Sequence, residues 1–329
     1  MDIETALWIM GAVTIAYTVL GGMTAVILTD TIQWIVLMGG LIFVGIPVAY
    51  IAVGGWDAIS ETLPDQYFSI TNLSWQDIVN WAITIIPIWF VGMTLYQRIY
   101  ASKSRKEAQK AWVIAGLFEY PIMAFMGVTL GLLSRVAAEQ GMFESLGFAS
   151  HTAMDAEIGL PLLLRSILPV GLMGIMMSAY FSAILSTADS CLMAASGNFM
   201  TDILQKIFPG FIYHPRILRI TQFMTLLIGI IAMLLASQMK NVLELMLYSY
   251  AFMVSGLLVP LIAGLFFRNQ NAAAAMGAMV VGGSTTISLT VMETELPFGL
   301  DANIFGLTAS MIAFIIINMT YTNLKKTYI

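Results

Sequence analysis

Nine apolar runs separated by short polar stretches organise the chain: 5–28, 31–53, 78–97, 111–134, 168–199, 220–239, 242–267, 274–291 and 303–322. Most are close to the roughly 20 residues that carry an α-helix across about 30 Å of hydrocarbon. Strands in lipid would leave backbone groups without partners, and the runs lack the period-two alternation of a barrel. The pattern therefore predicts transmembrane helices. The fifth run is too long for one crossing. Pro161 and Pro169 predict a short re-entrant or surface helix there, followed by a long helix that projects past the membrane. Gly21-Gly22, Gly39-Gly40, Gly127 with Gly131, Gly171 with Gly174, and Gly282-Gly283 read mostly as packing glycines. Trp8, Trp56 and Trp75 fall near predicted helix ends, where aromatic belts form.

Composition narrows the class. Of 329 residues, 59% are hydrophobic and 10% charged, against roughly 25% charged in a soluble domain. So few charges cannot coat a soluble surface. Eleven of the fourteen Lys and Arg fall on one side of the expected membrane: Arg98, Lys103, Arg105, Lys106, Lys110, Lys206, Arg216, Arg219, Arg268, Lys325 and Lys326. That side is expected to be cytoplasmic. Arg135, Arg165 and Lys240 are the exceptions. The opposite loops, 54–77, 135–167 and 292–302, are rich in acids such as Asp57, Asp77, Glu157, Glu293 and Asp301. This order places the N-terminus outside. Asp2 and Glu4 precede the first run, so no cleavable signal is read, and an outside start points to helices missing upstream. The single Cys191 allows no internal disulfide. No phosphate loop, nucleophile elbow or metal-binding His pair is found, with His151 and His214 far apart, so the chain is not expected to be an enzyme. Nothing points to a nucleic-acid partner.

Polar residues inside the spans carry the candidate chemistry, because charge within the bilayer is costly and usually faces a site. In the fifth run, Ala183, Ser186, Thr187 and Ser190 share a helical face, and Asp189 flanks it. Hydroxyls beside a carboxylate make a hard-oxygen cluster suited to a cation such as sodium. The plainer alternative has Ser and Thr bonding back to their own helix. Glu119 lies nine residues past Lys110, about 14 Å into the membrane at 1.5 Å per residue. That depth suits a transporter's substrate, although a structural carboxylate would read the same way. Trp89 lies nine residues before Arg98, at matching depth, and Pro87 should disturb its helix and free backbone groups. A packing aromatic is the alternative. Asp30, in the turn Thr29-Asp30-Thr31, reads from local rules as a helix N-cap.

Four stretches carry a resemblance. They are Tyr17-Thr18-Val19-Leu20-Gly21-Gly22 leading to Thr29-Asp30-Thr31-Ile32-Gln33, Gln97-Arg98 followed by Ala101-Ser102-Lys103, Ser186-Thr187-Ala188-Asp189-Ser190 with Thr201-Asp202-Ile203, and Gly264-Leu265-Phe266-Phe267-Arg268. In order and spacing the chain resembles the sodium/solute symporter family, which includes sodium/glucose and sodium/proline cotransporters. The resemblance implies an all-α, polytopic membrane bundle of the five-plus-five inverted-repeat transporter fold. It makes residues 1–329 a single transmembrane domain that holds core helices four to ten and two C-terminal helices, and that lacks its first core helices. It implies sodium-coupled symport of a small organic solute across the plasma membrane, here a bacterial inner membrane. The Ala183 carbonyl and the Ser186 and Thr187 hydroxyls match half of a sodium site, whose other half would come from a missing broken helix. Asp30 matches an acid near the cytoplasmic sodium exit, and with Ser186, Asp189 and Ser190 it could hold a second sodium. Trp89 and Glu119 match positions that line the sugar in sugar carriers. Those carriers have Lys in place of Glu119 and a gating Tyr in place of Ile88, and both departures argue against a hexose. A buried carboxylate could pair instead with an amine or a quaternary ammonium.

Two other classes remain beside this one. A symporter-like domain could report a nutrient to an attached kinase, and the end of the chain at Ile329 weighs against that. The missing helices also allow an inactive fragment.

Overall fold

The computed structural model describes residues 3–69, 71–148, 152, 154–238, 242–267, 271–292 and 295–327. Asp2, His151, Lys240, Arg268 and Glu293 lie outside the described residues, as do the side chains of Glu4, Lys325 and Lys326. Every regular element among the described residues is helical. In order these are α1 (Ile3–Gly40), α2 (Ile46–Ala52), α3 (Gly55–Thr62), α4 (Trp75–Val91), α5 (Met93–Ala101), α6 (Arg105–Leu117) and α7 (Ala124–Glu139). They continue with α8 (Gly159–Ile167), α9 (Val170–Asn198), α10 (Gln205–Ile207), α11 (Ile217–Ala236), α12 (Val242–Phe266), α13 (Ala272–Val291) and α14 (Ala302–Thr327). Wide π turns at Leu41–Gly45, Phe118–Met123 and Phe199–Leu204 join neighbouring helices without ending them.

Eight helical stretches among the described residues are long and apolar enough to cross a membrane. The first, Thr5–Ala52, merges two of the nine expected runs. The division between those runs falls at Gly22 (φ 57°, ψ −157°) and not at Thr29-Asp30-Thr31. Only glycine takes that backbone conformation without a steric penalty. The two threonines instead fold their hydroxyls back onto helix carbonyls, Thr29 onto Ala25 O at 2.9 Å and Thr31 onto Ile27 O at 2.9 Å, so the helix runs straight through. Asp30 is therefore an interior helical residue and not a cap.

Proline and glycine exchange roles in the third run as well. Pro87 removes one N–H from α4, yet the helix continues to Val91 and breaks at Gly92 (ψ 110°). The carbonyl that loses its partner four residues earlier is that of Ile83. Asn303, fully buried, donates its Nδ2 to that oxygen at 3.3 Å and to Thr84 Oγ1 at 3.1 Å. Pro121 has the same effect in the fourth span, where the ladder widens into the π turn Phe118–Met123. The basic loop expected over 98–110 is mostly helical: α5 runs to Ala101, and α6 starts at Arg105 with Ser104 as its N-cap. The expected short helix before the long fifth span is α8, which ends ahead of Pro169.

The chain divides into two compact units, Met1–Ser69 with Gln97–Ser237, and Ile70–Tyr96 with Gln238–Ile329. In the first, Val53, Leu130, Leu133, Val136, Phe143, Leu163 and Leu164 form a tightly buried core drawn from α2, α7 and α8 and the loop after α7. Here α1 lies along α9 and α11, and a Cβ at Gly229 would strike Ile15. In the second unit, α12, α13 and α14 pack together with α4. A Cβ on Gly282 would meet the Ser255 carbonyl, and one on Gly306 would meet Thr286 Oγ1. The packing reading thus holds at Gly282. By contrast, Gly39, Gly127, Gly131, Gly171 and Gly174 have no neighbour within 4 Å among the described residues.

Candidate functional site

The candidate ion-binding residues all lie in the first unit. Helix α9 presents Ala183 and Ser186 half-buried and Thr187 exposed, while Asp189 and Ser190 turn inward and are buried. Ser186 Oγ donates to Ala183 O at 2.8 Å, and Ser190 Oγ donates to Ser186 O at 2.7 Å. Two of the three hydroxyls therefore make the self-helix bonds of the plainer reading, and all three lie within about one turn of α9.

The inward residues join a network across three helices. Tyr17 of α1 donates its hydroxyl to Asp189 Oδ2 at 2.5 Å. Ser190 Oγ lies 3.3 Å from Asp189 Oδ1. Arg98, in the last turn of α5, places one guanidinium nitrogen 2.7 Å from Asp30 Oδ2 and 2.8 Å from Ser190 Oγ. Its neighbour Gln97 donates to Met193 O of α9 at 3.4 Å. Asp30, Asp189 and Ser190 are thus brought together. Local sequence rules missed Tyr17 and Arg98, since Arg98 counts by composition as a loop cation. The signal available for both was their place inside the quoted motifs. Charge in this network does not balance among its own members. Among the described residues two carboxylates meet one guanidinium, and Asp189 is met by the Tyr17 and Ser190 hydroxyls and the Ser190 backbone N–H, all neutral groups.

Glu119 sits in the π turn Phe118–Met123, half-buried, where Trp34 packs edge-on against Phe118 with ring centroids 5.2 Å apart. No hydrogen bond or ion pair reaches the Glu119 carboxylate from the described residues. The π turn moves it off a regular helical register, which sequence spacing could not foresee. Ile88 and Trp89 are half-buried in the second unit, between Pro87 and the break at Gly92.

Fold and site together define an all-helical, multi-pass membrane protein with a partly buried ionic network between its helices. The model of the sodium:solute symporter family matches residues 1–282, and the chain belongs to that family. It is 27% identical to the high-affinity proline transporter PutP of Bacillus subtilis, over 87% of this chain and 59% of that protein. It is 26% identical to a sodium/glucose cotransporter of Vibrio parahaemolyticus, over 91% of this chain and 59% of that one. With a sodium/mannose cotransporter of Bos taurus the identity is 26%, over 88% and 54%. The chain therefore spans little more than half the length of these relatives. A solved Na+-coupled sialic acid symporter shares its fold at a TM-score of 0.75 and 20% identity, covering 97% of this chain and 67% of that chain.

Proposed function

We propose that this chain works as part of a sodium-coupled symporter that carries a small organic solute across a plasma membrane. The observation that carries the reading is the α9 oxygen cluster: Ala183 O, Ser186 Oγ and Thr187 on the more open side, backed by the buried Asp189. Such oxygens replace the hydration shell of a hard cation. The more open side supplies a half-site, to be completed by oxygens from elsewhere in the protein. The unbalanced charge around Asp189, Arg98 and Asp30 fits a second sodium, with Ser186, Asp189, Ser190 and Asp30 as its ligands. Two of these relatives are named as sodium cotransporters, of mannose and of glucose, and the third as a proline transporter, which supports sodium coupling and leaves the solute open.

For the solute, Glu119 is the discriminating residue. A carboxylate inside a span needs a counter-charge. A solute with a positive nitrogen supplies one. The experiment is uptake by the protein in vesicles against a panel of cationic, zwitterionic and neutral solutes, with and without a sodium gradient. Uptake that ignores sodium for every solute would refute the symport reading. Sodium-driven uptake of neutral solutes alone would retain symport and remove the cationic solute.

A further inference from the structure

A cavity of about 770 Å³ lies at the junction of α5 and α6, lined by Ile99, Tyr100, Ser102, Arg105, Ala108 and Trp112 among others. Its chemistry is unlike the ion network. Arg105 lines it directly, and Lys103, Lys106 and Lys110 are its exposed neighbours along the chain, with Glu107 the one acid in that stretch. Neither ion pair among the described residues uses any of these four cations. Seven residues separate Arg105 from Trp112, which puts the indole about 10 Å along the helix from the basic rim. Beyond the rim, α6 is apolar and exposed: Trp112 at 43%, Val113 at 64% and Leu117 at 62%. A polar, cationic mouth therefore opens onto a lane of exposed apolar side chains, at the end of a span that the charge bias places at the cytoplasmic surface.

We propose that this cavity is the head-group site of an anionic phospholipid. The phosphate would sit against Arg105, with Lys106 beside it in the first turn of α6, where the helix dipole favours negative charge although Ser104 already takes the Glu107 and Ala108 N–H groups. Tyr100 and Trp112 would flank the glycerol region, as aromatic residues do at membrane interfaces. The acyl chains would run along Val113 and Leu117. A soluble anion could use the basic mouth but would leave the apolar lane uncovered, and that lane favours the lipid. Basic pockets on the cytoplasmic side of transmembrane helices take anionic head groups by this combination of charge and apolar contact.

Trp112 is a built-in reporter. The protein is reconstituted in phosphatidylcholine vesicles that contain a minor fraction of brominated lipid, either phosphatidylglycerol or phosphatidylcholine. The difference in fluorescence between the protein and its Trp112→Phe variant isolates the signal of this indole. Brominated phosphatidylglycerol should quench Trp112 at least twofold more than the same amount of brominated phosphatidylcholine. The combined Arg105→Gln, Lys106→Gln and Lys110→Gln variant should abolish that excess. Equal quenching by the two lipids, or an excess that persists in the variant, overturns the proposal. So does an excess removed by inorganic phosphate but not by chloride at matched ionic strength, because the site would then be one for a free anion. If the combined variant does not elute as a single species, Arg105→Gln alone is read. It should lose about half of the excess, and an unchanged excess overturns the proposal equally.

Discussion

One nitrogen of Arg98 serves two oxygens, Asp30 Oδ2 and Ser190 Oγ, and so ties α5 to both α1 and α9. Arg98→Gln would leave Asp30 without its counter-charge. The expected cost lies below the roughly 1.5–3 kcal/mol of a hydrogen bond to a charged group, because the Arg98 side chain is 40% exposed. The protein's Tm in detergent should fall, and Arg98→Lys should recover part of the loss, since a single nitrogen makes both bonds. An unchanged Tm in Arg98→Gln would show that the pair does not stabilise the fold. In the ion site, Ser186→Ala and Thr187→Ala should each raise the sodium concentration for half-maximal uptake several-fold, with less effect on solute affinity at saturating sodium. A double variant with unaltered sodium dependence refutes the assignment. Glu119→Gln separates two partners. If a cationic solute neutralises the carboxylate, solute affinity drops while sodium affinity holds; if a proton does, the variant is nearly silent. Asp30 shows where reading by residue stops. Its neighbours in sequence are those of a cap, and its partner lies 68 positions away. No local rule sees across that distance.

Helices were legible from apolar run length, because hydrocarbon thickness sets it. Their breaks were less so. A proline announces a missing N–H, but whether the helix bends depends on who takes up the orphaned carbonyl. For Pro87 that is Asn303, at the far end of the chain. The actual break at Gly92 needed no special chemistry. Packing glycines divide in the same way, since Gly282 is crowded by α12 while Gly127 and Gly131 are not, and sequence alone ranks them equally. Gly306→Ala should force α14 away from α13 and cost about 1–3 kcal/mol, as overpacking does, seen as a lower Tm. A Tm equal to that of the parent would mean that the two helices part freely. At the start of α14, partial desolvation of the otherwise exposed Asp301 holds its carboxyl above its ordinary value, and the nearby Asp77 adds to the shift. Ionised Asp301 is therefore disfavoured in the folded state. Its stabilising contribution is present below the ordinary aspartate value of 3.8 and is lost as pH rises through the raised folded value. Asp301→Asn should accordingly have a higher Tm than the parent near neutral pH, with the gap closing toward pH 4. A constant gap would place its origin elsewhere.

Orientation belongs to the whole molecule. The basic residues between the third and fourth spans should face the cytoplasm. A Ser104→Cys variant, in a Cys191→Ser background, should react with an impermeant maleimide only in inside-out vesicles. Labelling from the outer face would invert the topology. The family and its helical class were readable from motif order along the chain. The ionic network was not, because it is a property of assembly: Tyr17 and Asp189 are 172 positions apart. That separation bears on how the protein is made. Helix α1 enters the membrane long before α9 leaves the ribosome, so Tyr17 waits in lipid for a carboxylate not yet synthesised. Asp189, in turn, must partition into the bilayer at a cost of about 2.5–3.5 kcal/mol at mid-helix, and it finds its hydroxyl partner only when the two helices dock. Insertion of the ninth helix and its docking on the first are thereby coupled during biogenesis.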